Sequence, residues 1–278
     1  MNQYGSQAGV QEGLAKRHLV EETFHDHKAQ RASSSAAVQS AHTDFYPTWM
    51  DDEHWRILLD AAGPLATKRL LDFGCGPGQS SRVYAQMGAA RVDGFDIAGE
   101  NVRIAEKNAK RDGLDDRVFF RRLAAEEIDY PDNSFDIVIG KAILHHTDLE
   151  KTAFQLYRVL RPGGSAYFLE PLAHNPFLNL FRRLTPWRRT PTEKPLDLRD
   201  LDIFRRYFVV SCRGYYLFTL LAHFLLFVTG SRSLFNRSRA VLRRCEEPVL
   251  VRFPRLQKYC WSALLVFQKP GPAKGSSR

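Results

Sequence analysis

The chain has 278 residues, 44% hydrophobic and 12% aromatic, which excludes a disordered or low-complexity protein and suits one large domain with elaborated ends. Its formal charge is +9, yet no long Lys/Arg block exists, so charge alone does not argue for nucleic acid. Cys75, Cys212, Cys245 and Cys260 form no CxxC pair and show no metal-ligand spacing; reduced thiols and no metal site are the expectation.

In chain order, residues 1–13 are polar and Gly/Gln-rich and are expected to form a disordered tail. MNQYGSQAGVQEGLAKRH has no apolar core, so no signal peptide is read and the cytoplasm is the expected location. Residues 14–66 read as a helical lid. EETFHDHKAQRA predicts one helix, and a second covers 52–62, acidic in its first turn and closed by Gly63. In the first of these, His25 and His27, with Phe24, either close over a ligand or face solvent.

Over 67–172 the pattern alternates. The runs KRLLDF, ARVDGFDI, DRVFFRRL, SFDIVIGKA and GSAYFLEPL are short and rich in β-branched or aromatic residues. Between them lie GQSSRVYAQMGAA, AGENVRIAEKNAKRDG and LEKTAFQLYRVLRPGG, which are helical in pattern, with RPGG as a helix stop. The alternation predicts an α/β fold, a mostly parallel sheet with helices on both faces.

Residues 173–269 differ. HNPFLNLFRRLTPWRRTPTEKPLDLRDLDIFRRYF is a basic, prolyl connection with two short helices, and FVVSCRGYYLF and CWSALLVFQKP read as strands. Between those strands, over about 215–246, an apolar stretch, YYLFTLLAHFLLFVTG, precedes a basic helix. The apolar stretch is shorter than the ~20 residues that span a bilayer. Three roles fit it: core, a homodimer surface, or an anionic membrane surface anchored by Arg232, Arg237, Arg239, Arg243 and Arg244. Residues 270–278 read as a second tail.

The densest chemical signal is the turn Asp72-Phe73-Gly74-Cys75-Gly76-Pro77-Gly78, behind the first strand. Glycine there permits positive φ and removes the Cβ that would block a ligand at the carboxyl end of a strand. A nicotinamide dinucleotide fingerprint requires glycine at position 79, which is Gln79. Asp72 suits a cationic amino acid or sulfonium better than a phosphate. Asp96, one helix and one strand later, stands where a carboxylate takes ribose hydroxyls.

LLDFGCGPGQSS, VDGFDI, AAEEIDYPDNSFDIVIG and LYRVLRPGGSAYFLEP, in that order, resemble the successive motifs of class I S-adenosylmethionine-dependent methyltransferases, from about Lys68 to Pro171. The resemblance implies a Rossmann-like sheet of seven strands with an antiparallel last strand, a helical N-terminal lid and a helical insertion between strands six and seven. It implies S-adenosylmethionine as cofactor. The methionine end would lie against Asp72, Gly74 and Gly76, with Cys75 and Gly78 in the same turn, and against Gly140 and Lys141. The ribose would lie on Asp96 and the adenine on Ile97. Ala124 stands where many members carry an acid, which leaves adenine recognition to the Ala125 backbone and Glu126.

His145 and His146 in KAILHHTD resemble the LHH segment of small-molecule O-methyltransferases, where a histidine and an acid at the end of the fifth strand approach the acceptor. His146, marginally ahead of His145, is the expected base, and Glu170 the orienting acid. His174 reads as a loop histidine. The expected reaction is O-methylation of a small or lipid-like molecule. C-methylation of an isoprenoid or quinone-type acceptor and a non-catalytic membrane-associated scaffold are the alternatives. Nucleic acid is the least supported partner, since KAIL stands where an NPPY-like motif would.

Overall fold

The structure, a computed structural model, describes residues 4–34, 48–184 and 193–272. Residues 1–3 and 273–278 of the expected tails, 35–47 of the expected lid and the Arg-Pro-rich part of the connection, 185–192, lie outside the described residues.

Five short apolar runs become parallel strands: β1 (Arg69–Phe73), β2 (Arg91–Asp96), β3 (Val118–Arg122), β4 (Phe135–Lys141) and β5 (Leu160–Pro171). With β6 (Val209–Tyr215) and β7 (Ser262–Gln268) they form one seven-stranded sheet of order β3-β2-β1-β4-β5-β7-β6. β7 runs antiparallel to both β5 and β6. The alternation's mostly parallel sheet is present, in the Rossmann-like seven-stranded arrangement that the resemblance implied.

Alternate residues of β1 feed two separate cores, as the pleat requires. Leu71 and Phe73 pack with Phe95, Val138, Phe168 and Leu156 on one face, and Leu70 packs with Tyr84, Val102 and Ile139 on the other. The helices α3 (Gln79–Gln86), α4 (Gly99–Arg111) and α5 (Leu149–Val159) follow β1, β2 and β4. Asp148 caps α5 by accepting the amides of Glu150 and Lys151.

Several boundaries differ from expectation. α1 (Tyr4–Ser34) reaches back through most of the segment read as a tail, although Gly5, Gly9 and Gly13, poor helix formers, fall within it. α2 (Thr48–Ala62) begins four residues before Asp52 and ends at Gly63, φ +70°. β5 begins at Leu160, one residue ahead of the RPGG stop, and runs through it: Phe135 pairs with Leu160, the register shifts, and Ile137 pairs with Ser165.

After β5 come α6 (Pro176–Leu184), a 3-10 turn over Leu198–Asp200 and α7 (Leu201–Arg205). The insertion between β6 and β7 consists of α8 (Leu220–Thr229), α9 (Arg232–Arg252) and a 3-10 turn over Pro254–Tyr259, so it extends beyond residue 246. Among the described residues no helix is long and apolar enough to cross a membrane.

The apolar stretch divides. Its entry, Tyr216, Thr219 and Ala222, is buried, whereas Leu221 and Val228 are exposed. The buried Glu246 of α9 fixes the entry, accepting the amides of Tyr216, Phe218 and Thr219 and the Thr219 hydroxyl. Of the five arginines expected as anchors, Arg239 and Arg243 reach the buried Glu53 of α2 instead, at 2.8 and 2.5 Å. The positive face that sequence alone suggested is therefore reduced by two charges.

Candidate functional site

The glycine turn connects β1 to α3, with Gly74, Gly76 and Gly78 at φ +73°, +52° and +72°. Positive φ at three alternate positions is the conformational reason for glycine here. Space supplies a second reason at two of them. A Cβ on Gly78 would stand 2.7 Å from both Ala105 and Phe120, and one on Gly74 would stand 2.9 Å from Ile143. A Cβ on Gly76 would meet nothing within 4 Å. The turn is packed on both flanks and open at its middle, which is the shape a ligand against backbone requires.

Asp96 is joined to that turn. Its Oδ2 accepts the Gly76 amide at 2.9 Å, and its Oδ1 accepts the Ala98 amide at 2.9 Å and Asn101 Nδ2 at 3.1 Å. Cys75 donates its amide to Phe95 O at 2.8 Å, and burial pushes its thiol well above the ordinary range. Ile97 is half-buried beside Asp96. Asp72 is fully buried and accepts the Ser81 hydroxyl at 2.5 Å. Burial, with a smaller contribution from the Asp96 charge, pushes its carboxyl up to about 7. A cationic group arriving beside Asp72 would favour the ionised form.

The next predicted residues meet at the ends of β4 and β5. Gly140 cannot carry a side chain, since its Cβ would lie 2.4 Å from the Phe168 ring. Lys141 sets its ammonium 4.7 Å from the centre of the Trp55 ring of α2. Ala142, at φ +53°, is a left-handed non-glycine residue at the mouth of the site. A 3-10 turn over Leu144–His146 follows.

Glu170, entirely buried in β5, organises this turn. Its Oε1 accepts the amides of Ile143 and Leu144, both at 2.9 Å, and its Oε2 lies 2.7 Å from His145 Nδ1. An ionised carboxylate only accepts, so Nδ1 donates and His145 presents Nε2 as its basic atom.

His146 has a different partner. Its Nδ1 lies 3.1 Å from the carboxylate of Glu21, a buried residue of α1. Its ring is edge-on to His25 at 5.7 Å and 4.1 Å from that of His145. Burial lowers the His146 pKa, but contact with Glu21 and the charges of Glu21, Glu193 and Glu170 outweigh it, and the net shift is upward.

α1 crosses the open side of the strand ends. His18 bonds Glu126 at 3.1 Å, Asp26 accepts the Glu100 amide at 2.9 Å, and Glu22 pairs with Arg122. Glu126 is thereby fully engaged, its other oxygen accepting the Asp148 amide at 2.7 Å. Its carboxylate holds α1 to the start of α5, while Ala125 is buried at its side. His25 also faces Glu21, at 3.7 Å.

Two residues escaped the sequence reading. Glu21 was visible only as a partner spaced i, i+4 from His25. Glu193, far from the histidines in sequence, offers an oxygen within 4.8 Å of ring nitrogens of His145 and His146. Glu21, His25 and His146 form a second such set, and both sets are of the kind that binds a divalent ion. His174 pairs with Asp197 at 3.0 Å instead of joining this cluster.

Residues 71–168 match a family described as "Methyltransferase domain". The 27-O-demethylrifamycin SV methyltransferase of Amycolatopsis mediterranei is 42% identical over 100 residues, 36% of this chain and 37% of that protein. A sterol 24-C-methyltransferase of Aspergillus fumigatus is 33% identical over 121 residues, 43% of this chain and 32% of its own. The match thus spans about a third of either relative. The solved [4+2]-cyclase SpnF superposes with a TM-score of 0.55 at 22% identity, covering 81% of this chain and 83% of its own, a likeness of fold. The family match falls on the segment that carries the glycine turn, Asp96 and the end of β4, and within residues 71–168 the chain is similar to a methyltransferase domain.

Proposed function

We propose that the protein transfers a methyl group from S-adenosylmethionine to a hydroxyl of a small or lipid-like molecule, with His145 as general base. The observation that carries this reading is the Glu170–His145 pair, at 2.7 Å, beside the open glycine turn.

The residues present fit the cofactor. Gly76 leaves open space over backbone, Asp96 ends its strand against that turn, and Asp72 is a buried acid in want of a cation. Asp72, Gly74, Gly76, Gly140 and Lys141 would hold the methionine end, Asp96 the ribose and Ile97 the adenine. Glu126 is already bonded to His18 and Asp148, so the adenine falls to the Ala125 and Glu126 backbone. When bound, S-adenosylmethionine supplies a methyl group on a sulfonium, which an oxygen nucleophile takes with loss of its proton.

The chain's own part is alignment and proton removal. Alignment alone can be worth ~7–11 kcal/mol, and a positioned base about 10²–10⁴-fold. Glu170 cannot swing, because two backbone amides and His145 hold it, so His145 is fixed in tautomer and direction. His146 serves the lid: its acid partner sits on α1, and its raised pKa favours the charged form that grips Glu21. Lys141, stacked on Trp55, ties α2 to the same mouth and helps exclude water.

C-methylation is the second reading, and the sterol-methylating relative favours it. The test is turnover of hydroxylated acceptors by wild type, His145→Ala and His146→Ala, beside calorimetric titration with S-adenosylhomocysteine. Binding of the ligand with at least a tenfold fall in kcat for His145→Ala supports the O-methyl reading. Binding with turnover indifferent to both histidines removes the base, and absence of binding removes the enzyme.

A further inference from the structure

Beyond Glu170 the chain builds a second feature that the reaction centre does not use. Residues 194–197 run back along the end of β5: Lys194 donates its amide to His145 O at 3.1 Å, Leu196 to Pro171 O at 3.2 Å, and Ala173 to Leu196 O at 3.0 Å. Between this segment and α6 lies a cleft of about 740 Å³, within the range of small-molecule sites. Its charged lining is Arg182, Arg183, Lys194, Arg199, Asp197 and Asp200, four cations against two acids.

Both acids are engaged within the protein. Asp197 binds Arg199 and His174, which hold its carboxyl well below the usual carboxylate range, and Asp200 accepts the Asp197 amide. Arg182 donates to Leu172 O and Asn179 Oδ1, which aims its guanidinium along the cleft wall. Arg183 and Lys194 form no ion pair among the described residues. The cleft therefore holds a net positive charge in a concave surface, a place where an anionic group gains most.

α6 contributes a second, independent feature. While Leu178, Asn179 and Arg182 face the protein or the cleft, Phe177, Leu180 and Leu184 are 63%, 57% and 64% exposed. Their spacing of three and four residues puts them on one side of the helix. None of the three lines the cleft, but Leu180 stands one helical turn from Arg183, which does, so the apolar side of α6 begins next to one of the cleft's cations, and a molecule complementary to both is an anion that carries a hydrocarbon chain.

We propose that this cleft binds the phosphate-type head of an amphiphilic methyl acceptor, with Arg183 and Lys194 on the head group and Phe177, Leu180 and Leu184 along its chain. The proposal rests on the methyl-transfer reading for the role of acceptor but not for binding itself. The amide link from Lys194 to His145 places the cleft wall beside the base, so a hydroxyl on the same molecule needs only a short span to reach it.

The experiment is titration of the protein, saturated with S-adenosylhomocysteine, with monomeric decyl phosphate, decanol and inorganic phosphate. Decyl phosphate should bind at least tenfold more tightly than either of the others. Arg183→Glu combined with Lys194→Glu should weaken it at least tenfold, and Leu180→Ser with Leu184→Ser should reduce it to the level of inorganic phosphate. These residues are exposed, so the variants should keep the wild-type melting temperature and S-adenosylhomocysteine affinity. Unchanged decyl phosphate binding in the charge variant, or no preference for it over decanol in wild type, overturns the proposal. Inorganic phosphate binding as tightly as decyl phosphate overturns the amphiphile and leaves a free-phosphate site. Failure to bind S-adenosylhomocysteine would instead strike the methyl-transfer reading, and the two failures are read separately.

Discussion

The two halves of the site are built by different means. Around β1 and β2 the groups that would meet the cofactor are mostly backbone: three glycines of positive φ, an amide held by Asp96 and a strand end. Around β4 and β5 they are side chains brought from afar, Glu170 to His145, Glu21 of α1 to His146, Glu193 from beyond α6. The first half tolerates little substitution because its shape is covalent geometry. The second can be retuned residue by residue, as expected where one cofactor serves many acceptors.

The contrast is most sharply tested at Asp96. Asp96→Ala removes the carboxylate that holds Gly76 and Asn101, and S-adenosylhomocysteine affinity should fall at least a hundredfold by calorimetry. An unchanged affinity would mean the glycine turn holds its shape alone.

The two histidines should then separate. His145→Ala should lower kcat by about 10²–10⁴-fold with cofactor affinity intact. His146→Ala should cost less than about tenfold in kcat and show mainly in KM and in hydrogen exchange of α1. Equal losses for both would return the two residues to one shared role.

A smaller effect follows from Asp72. Its carboxyl is pushed up to about 7, so the folded protein carries a proton that an unfolded chain, with an ordinary value of 3.8, has released. That contribution to stability is present at low pH and is lost as pH rises through about 7. A ligand cation paired with the ionised form should restore it. The melting-temperature gain from S-adenosylmethionine should therefore grow between about pH 6 and pH 8, with proton release visible as a buffer-dependent calorimetric enthalpy. A gain independent of pH and buffer would remove Asp72 from the ligand.

The smallest expected change concerns α1. The hydrogen bond to Glu126 raises His18, against the lowering effect of burial, and His146 is raised by its acids. Their contribution to docking is present below the ordinary histidine value of 6.5 and lost as pH rises through the raised ones. Glu126 is lowered despite burial, by His18 and the Asp148 amide, so its share is lost only as pH falls below the ordinary 4.5. Hydrogen-exchange protection factors over residues 18–26, corrected for the intrinsic pH dependence of exchange, should be highest near mildly acidic pH and fall above neutrality. A flat profile would show that packing alone, not these pairs, holds the lid.

The sequence by itself determined the parallel sheet and the glycine turn, because each depends on local periodicity or on residues within one strand–loop unit, and it singled out Asp96, His145, His146 and Glu170; that Asp96 meets Gly76 and Glu170 meets His145, each across an intervening helix, was decided by strand pairing. It did not determine which histidine is held by which acid. His145 and His146 are adjacent in sequence but face opposite partners, and only the packing of β5 and α1 against the 3-10 turn separates them. Nor did it determine the fate of the arginines in the insertion, two of which, Arg239 and Arg243, pair with the buried Glu53. The start of β5 differs from expectation because a shifted register pairs Leu160 ahead of the RPGG turn, and α1 extends through Gly5, Gly9 and Gly13, which composition assigns to a tail. Periodicity fixes which face of an element is buried, but the partner that meets it is chosen by contacts across intervening elements, from Glu170 to His145 to the far longer reach of Glu21 to His146, and those exist only once the chain has folded.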